Sequence, residues 1–239
     1  MTNSSPDLAA WQSVPLPRPG DLRGRYTTLE PLNAARHSGA LWEAMQGHDD
    51  LWRWMPASPA PGAEAMIAEL EAWQQAAQAL ALAIVPADTG RAGGWAAFMR
   101  IEPAHGVIEV GNVMFSPALQ RTRAATEAMY LMARHVFEDL GYRRYEWKCD
   151  ADNSPSRRAA LRLGFSFEGI FRQHRVVKGR NRDTAWFAML DHEWPSRKRA
   201  FESWLDPANF ERDGDQRQSL AALREGGKST PSRGESSTS

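Results

Sequence analysis

The segment from Val107 to Asp150 constrains the fold most. VIEVGNVMF (107–115) has strand character. From about 121 to 139 apolar residues recur at helical spacing, with Ala125, Ala128, Met129, Met132 and Val136 on one face. YRRYEWKCD (142–150) then reads as a strand again. Two strands joined through a helix that packs on them lie parallel, linked by a right-handed crossover. The flanking strands point the other way. LALAIVP (80–86) and GGWAAFMRIE (93–102) are joined by ADTGRAG, a hairpin signal. FEGIFRQHRVV (167–177) and TAWFAMLD (184–191) are joined by the turn KGRNRD. LRGRYTTLEPL (22–32) reads as one more strand. The expected fold class is therefore α+β, mixed: one central, mostly antiparallel sheet with one parallel strand pair and helices on both faces.

Helices are expected at 34–45, 63–78 and 155–163, with a terminal one at 200–210. The Trp- and Pro-rich stretch 48–62 reads as a loop or a broken helix. The 239 residues suit one domain with extensions. We expect an extended arm at 1–20, the domain at 21–210 and a disordered tail at 211–239.

Lys plus Arg and Asp plus Glu are 29 each, so the formal charge is zero. No global basic field points to nucleic acid or an anionic membrane, and neither is expected as a partner. Any anion must be gripped locally. The single cysteine, Cys149, allows no internal disulfide and no Cys-based metal site, and the six histidines show no metal spacing, so no metal is expected. The N-terminal stretch lacks a basic region followed by an apolar one, and no run of 18 apolar residues exists, so a cytoplasmic location is expected.

The helix near 121 begins with LQRTRAATEA, polar and basic. The first N–H groups of a helix lack internal partners and attract anions. A strand entering such a helix is a geometry for holding phosphate. Arg121 and Arg123 would add charge there; alternatively they only solvate an exposed turn. Downstream, NSPSRRAALRLGF (153–165) starts with a cap at Asn153 or Ser154, has Pro155 at the first helical position and stops at Gly164.

Four segments together carry a resemblance to the GCN5-related N-acetyltransferase (GNAT) superfamily, in the branch of the ribosomal-protein N-terminal acetyltransferases (RimJ/RimL-like). They are IEVGNVMFSPALQRTRAATEAM, RRYEWKCDADN, NSPSRRAALRLGF and FEGIFRQHRVVKGRNRDTAWFAMLDHEWP, and the likeness extends over about 22–195. It implies the GNAT fold, acetyl-CoA as co-substrate, and direct transfer of acetyl to an amine. The superfamily's pyrophosphate loop, Gln/Arg-x-x-Gly-x-Gly/Ala, falls on Gln120, Arg121, Thr122, Arg123, Ala124 and Ala125, with Thr126 following. Gln120 and Ala125 fit; Arg123 stands where a glycine is expected, and Arg121 where a second is common. A helical backbone at those positions removes the cost of a missing glycine. By the same resemblance Asn153 would bond the pantetheine region and Ser156 would protonate the leaving thiolate. Val113 and Phe115 would offer backbone groups to pantetheine and thioester.

Aminolysis needs a neutral amine. An α-amine is roughly 10–15% neutral at pH 7, a lysine only about 0.04%. A weak base therefore suffices for an α-amine, and Glu109, on the strand before the loop, is the candidate; the alternative is an ion pair or a solvated strand face. The acceptor is expected to be a protein N-terminus or a small-molecule amine, and a homodimer is possible. The rival function is a catalytically weak acyl-CoA-binding protein of the same fold.

Overall fold

A computed structural model of the chain describes residues 8–226. Its strands are β1 (Leu22–Arg23), β2 (Thr27–Pro31), β3 (Leu80–Pro86), β4 (Gly94–Glu102), β5 (Val107–Phe115), β6 (Arg144–Asp150), β7 (Ser166–Val177) and β8 (Arg180–Leu190). They form one sheet in the order β1-β2-β3-β4-β5-β6-β8-β7. Every pairing is antiparallel except β5 with β6. The α-helices among the described residues are α1 (Ala34–Met45), α2 (Ala63–Ala77), α3 (Arg123–Arg134), α4 (Ser154–Leu163), α5 (Trp194–Leu205) and α6 (Leu220–Gly226).

Alternation along the strands sorts the core into two layers. In β3, Leu82 and Ile84 point to the side of α3, while Ala81 and Ala83 point to the side of α1 and α2. Small residues on the second face let α1 and α2 approach the sheet, where Leu41, Met45, Met66 and Leu70 fill the space above Trp95 and Ala97. On the first face α3 is buried along its whole middle, from Ala124 to Ala133, not only on one face. The reason is a second cover: α5 lies over it, with Tyr130 stacked on Trp194 and Phe201 tilted against both rings.

Some boundaries differ from expectation. The strand expected at 22–32 is two strands folded about Gly24–Tyr26. The carboxylate of Glu127, in the buried middle of α3, accepts from three backbone amides of that fold: Arg25 (2.9 Å), Tyr26 (2.6 Å) and Thr27 (2.8 Å). A Cβ at Gly24 would strike this carboxylate. The terminal helix begins at Trp194, not at 200, because Pro195 suits a first helical turn. Within the expected tail, residues 211–226 are described and include α6, whose Leu220 is buried against the core; 227–239 lie outside the described residues, as do 1–7 of the expected arm. The rest of the arm is laid on the domain: the Trp11 indole donates to Ala104 O (2.8 Å) and stands over Gly106. In 48–62 a short 3-10 turn, Asp49–Trp52, buries Trp52, and Lys178 at the β7–β8 turn donates to its carbonyl (3.0 Å).

Candidate active site

The parallel pair is the source of the site. β5 and β6 are in register from Val107–Arg144 to Val110–Trp147 and then part. Against β4, Asn112 and Val113 stand opposite the single residue Ala96, a bulge marked by the left-handed φ of +48° at Asn112. Beyond the bulge the edge of β5 toward β6 is unpaired, which leaves backbone groups open to a ligand.

Two cavities meet at this opening. The larger, about 1440 Å³, is lined by Phe115, Gln120, Arg121, Thr122, Arg123, Ala124, Ala125 and Thr126, by Arg158 and Arg162 of α4, and by Phe210 and Gln216. The smaller, about 260 Å³, lies on the other side, among Trp54, Met55, Trp73, Glu109, Lys148, His174 and Arg182. Val113, Trp147, Asn153 and Ser156 line both.

At the start of α3, Thr122 is the N-cap: its hydroxyl accepts from Ala125 N (3.0 Å) and donates to Leu119 O (2.7 Å). The amides of Arg121, Arg123 and Ala124 have no acceptor among the described residues. They face a cavity lined by six arginines against three aspartates, so its potential favours an anion. Gln120 ties the loop to β5 through Phe115 O (3.1 Å). The two arginines behave differently. Arg123 lies within the helix, as the sequence allowed, but its guanidinium is not free in solvent: it sits over Tyr26 (5.1 Å) and Phe210 (4.6 Å). Arg121 takes φ +63°, the left-handed region that favours glycine, so there the helical backbone expected from the sequence is absent. Thr126 is buried, its hydroxyl donating to Thr122 O and accepting from Arg162.

Asn153 caps α4 by accepting from Ser156 N (3.1 Å). The Ser156 hydroxyl accepts from Trp147 Nε1 (3.0 Å), which occupies a lone pair and leaves its proton for another acceptor. The neighbouring Cys149 thiol is pushed up by burial, and is an inert packing group.

Glu109 is buried. Its Oε2 lies 2.9 Å from Lys148 Nζ and 3.1 Å from Arg100 Nε. Neither contact is aligned as a hydrogen bond, so these are charge contacts and the oxygen lacks a directed donor. Lys148 also pairs with Glu146 (2.7 Å) and sits over Trp186. One site residue escaped the sequence reading. His174 faces the smaller cavity with Nδ1 2.9 Å from Thr184 Oγ1. Desolvation first, then the cations Arg175, Arg100, Arg182 and Lys148, hold its pKa below the ordinary value. A lone histidine in a strand carries no local signal; only the pairing of β7 with β8 brings it here.

A GNAT acetyltransferase domain profile matches residues 27–166. The crystal structure of a GCN5-related N-acetyltransferase from Brucella melitensis superposes with a TM-score of 0.85 at 46% identity, covering 90% of this chain and 98% of that one. The chain belongs to the GNAT acetyltransferase family. Members of the family take their acyl group from acetyl-CoA. Among curated relatives, the uncharacterized N-acetyltransferase p20 of Bacillus licheniformis is 28% identical over 117 residues, 49% of this chain, and the ribosomal-protein-serine acetyltransferase of Escherichia coli is 29% identical over 97 residues, 41% of this chain. The chain spans 65% and 54% of the length of these two relatives. Among the described residues no helix is long and apolar enough to cross a membrane, and no cluster of His, Cys, Asp and Glu could hold a metal ion.

Proposed function

We propose that this GNAT protein transfers acetyl from acetyl-CoA directly to a primary amine, with the donor in the larger cavity and the acceptor in the smaller one. The observation that carries this is the meeting of two cavities, one cation-rich and one largely apolar, at the parting of β5 and β6. The pyrophosphate is held by the free amides of Arg121, Arg123 and Ala124, at the N-terminus of α3. Pantetheine runs along the open edge of β5 past Phe115 and Val113, with Asn153 opposite. The thioester then lies at the shared wall.

The acceptor amine, neutral, attacks the thioester carbonyl from the smaller cavity. The C–N bond forms, and the carbonyl oxygen takes up the negative charge, stabilised by a backbone N–H of the parted β5 edge. The C–S bond then breaks, and the departing sulfur takes the Ser156 proton as the serine oxygen takes one from solvent, which later recovers the amine's proton from the base. With pKa near 8.5 a thiolate leaves readily, so this acid contributes at the low end of the usual 10²–10⁴-fold range. The amine proton passes to Glu109 or to His174, both of which line the acceptor cavity.

The test is a calorimetric titration with acetyl-CoA beside thiol release in the presence of amines. Binding without release for any amine would leave an acyl-CoA-binding protein; no binding at millimolar concentration would refute the site. Ser156→Ala is expected to lower turnover roughly 100-fold with donor affinity intact. Loss of donor affinity instead would make Ser156 a cofactor contact. Comparing pH–rate profiles separates the bases. If His174 takes the proton, its lowered pKa puts the acidic limb below pH 6.5, and His174→Gln removes that limb; if Glu109 does, Glu109→Gln slows turnover with the smaller effect at high pH.

A further inference from the structure

Arg175 of β7 and Arg182 of β8 are direct cross-strand partners. Like charges in such a pair repel, and the sheet gains nothing from holding them there. Both line the acceptor cavity. Among the described residues, neither guanidinium makes a hydrogen bond or an ion pair within 4.0 Å, and Arg182 Nε is buried without a partner. Glu109 is engaged by Arg100 and Lys148, and Asp150 is felt by Arg182 without pairing to it. The cavity thus keeps two cations side by side without an ion-pair partner, Arg182 half-buried and Arg175 at the exposed rim. The cavity also has an apolar lining of Trp54, Met55, Met66, Leu70, Trp73 and Met99, with Glu69 among them.

We propose that Arg175 and Arg182 form an anion subsite for the acceptor's carboxylate, and that the acceptor is a free amino acid with an aromatic or large apolar side chain. This rests on the placement of the acceptor given above. A carboxylate between two guanidiniums turns their repulsion into two charge-assisted contacts, and the forked geometry of arginine suits it. It also fixes where the amine lies, since amine and carboxylate share one carbon. The 260 Å³ of the cavity suits one side chain of that class. A decarboxylated amine of the same shape would leave the half-buried Arg182, whose Nε is out of reach of water, unanswered, which is the stronger form of discrimination.

The experiment compares phenylalanine with phenethylamine, and tryptophan and methionine with their own decarboxylated amines. Binding is read by calorimetry on the full chain, and kcat/KM by thiol release. The amino acid is expected to exceed its amine at least about tenfold in both. In Arg182→Gln and in Arg175→Gln that ratio falls toward one, chiefly through KM. The melting temperature of Arg182→Gln stays at or above that of the parent, because a repulsion is removed; a merely structural arginine would lower it. Three results overturn the proposal: no advantage of any amino acid over its amine, a ratio that survives both substitutions, or a tripeptide with the same first residue acetylated as well as the free amino acid. Acetyl-CoA binding is measured in the same series without acceptor. Its loss would refute the donor site, whereas the acid-against-amine ratio in the binding arm judges the subsite alone.

Discussion

Arg121 stands at φ +63° on the surface of the larger cavity. A side chain in the left-handed region costs about 1–2 kcal/mol. The backbone here has the shape that glycine adopts most cheaply, and this chain keeps that shape without the glycine. Arg121→Gly should recover that strain, less about 0.5–1 kcal/mol of added backbone entropy. The expected net gain is about 0.5–1 kcal/mol, a rise in melting temperature of roughly 1–4 °C. Acetyl-CoA affinity should fall no more than about fivefold at physiological salt, since an exposed ion pair is worth at most about 1 kcal/mol. A loss of a hundredfold would mean that the guanidinium, not the amides, holds the phosphates. At position 123 the structure changes what a charge reversal means: Arg123 rests on Tyr26 and Phe210, so Arg123→Glu removes two cation–π contacts of about 0.5–1 kcal/mol each as well as a positive charge. Calorimetric affinity must therefore be read beside a melting curve for that variant.

At the scale of elements, α3 does two jobs through one face and one residue. Its start leaves amides open to the larger cavity, and its middle holds the β1–β2 fold through Glu127. Replacing Glu127 by Ala strips three amides of their acceptor at once, at about 1–3 kcal/mol for each that water fails to reach. We expect a loss of about 3 kcal/mol, or roughly 6–12 °C in melting temperature. A melting point within 2 °C of the parent would show that the clamp holds nothing. Nothing in local sequence announced this clamp: Glu127 in a helical run reads as a solvated charge, and its partners lie about a hundred residues away. The split of 22–32 into two strands was illegible for the same reason. By contrast the crossover 107–150 and the β3–β4 hairpin were legible, because each depends on periodicity or on a turn signal within a few residues.

For the molecule as a whole, long-range pairing decided what the sequence could not show. The order of strands follows from the one crossover and the turns, and the loop–helix motifs carried the resemblance to the family. Glu109 was weighed as a base or an ion-pair partner from its place on β5, but Lys148 and Arg100 reach it from other strands. His174 and Arg182 enter the smaller cavity only because β8 pairs beside β6 and β7 beside β8. The C-terminal part of the chain was read as a tail from residue 211, since its composition is polar. Yet Phe210 and Gln216 line the larger cavity, and Trp204 Nε1 donates to Gln216 Oε1 (2.7 Å).

The amides held by Glu127 and the amides left open at the start of α3 differ in one further respect, the rate at which they trade hydrogen for deuterium. Arg25, Tyr26 and Thr27 lie in a tight bend near the sheet edge, where rapid labelling would be the usual outcome. Bound to a buried carboxylate, they should label as slowly as the helix itself. Arg121, Arg123 and Ala124 should label within seconds in the free protein and slow markedly when acetyl-CoA is added. A mass-resolved footprint would thus report the donor's seat before any acceptor is known, and labelling unchanged at the three helix-start amides under saturating acetyl-CoA would place the phosphates elsewhere.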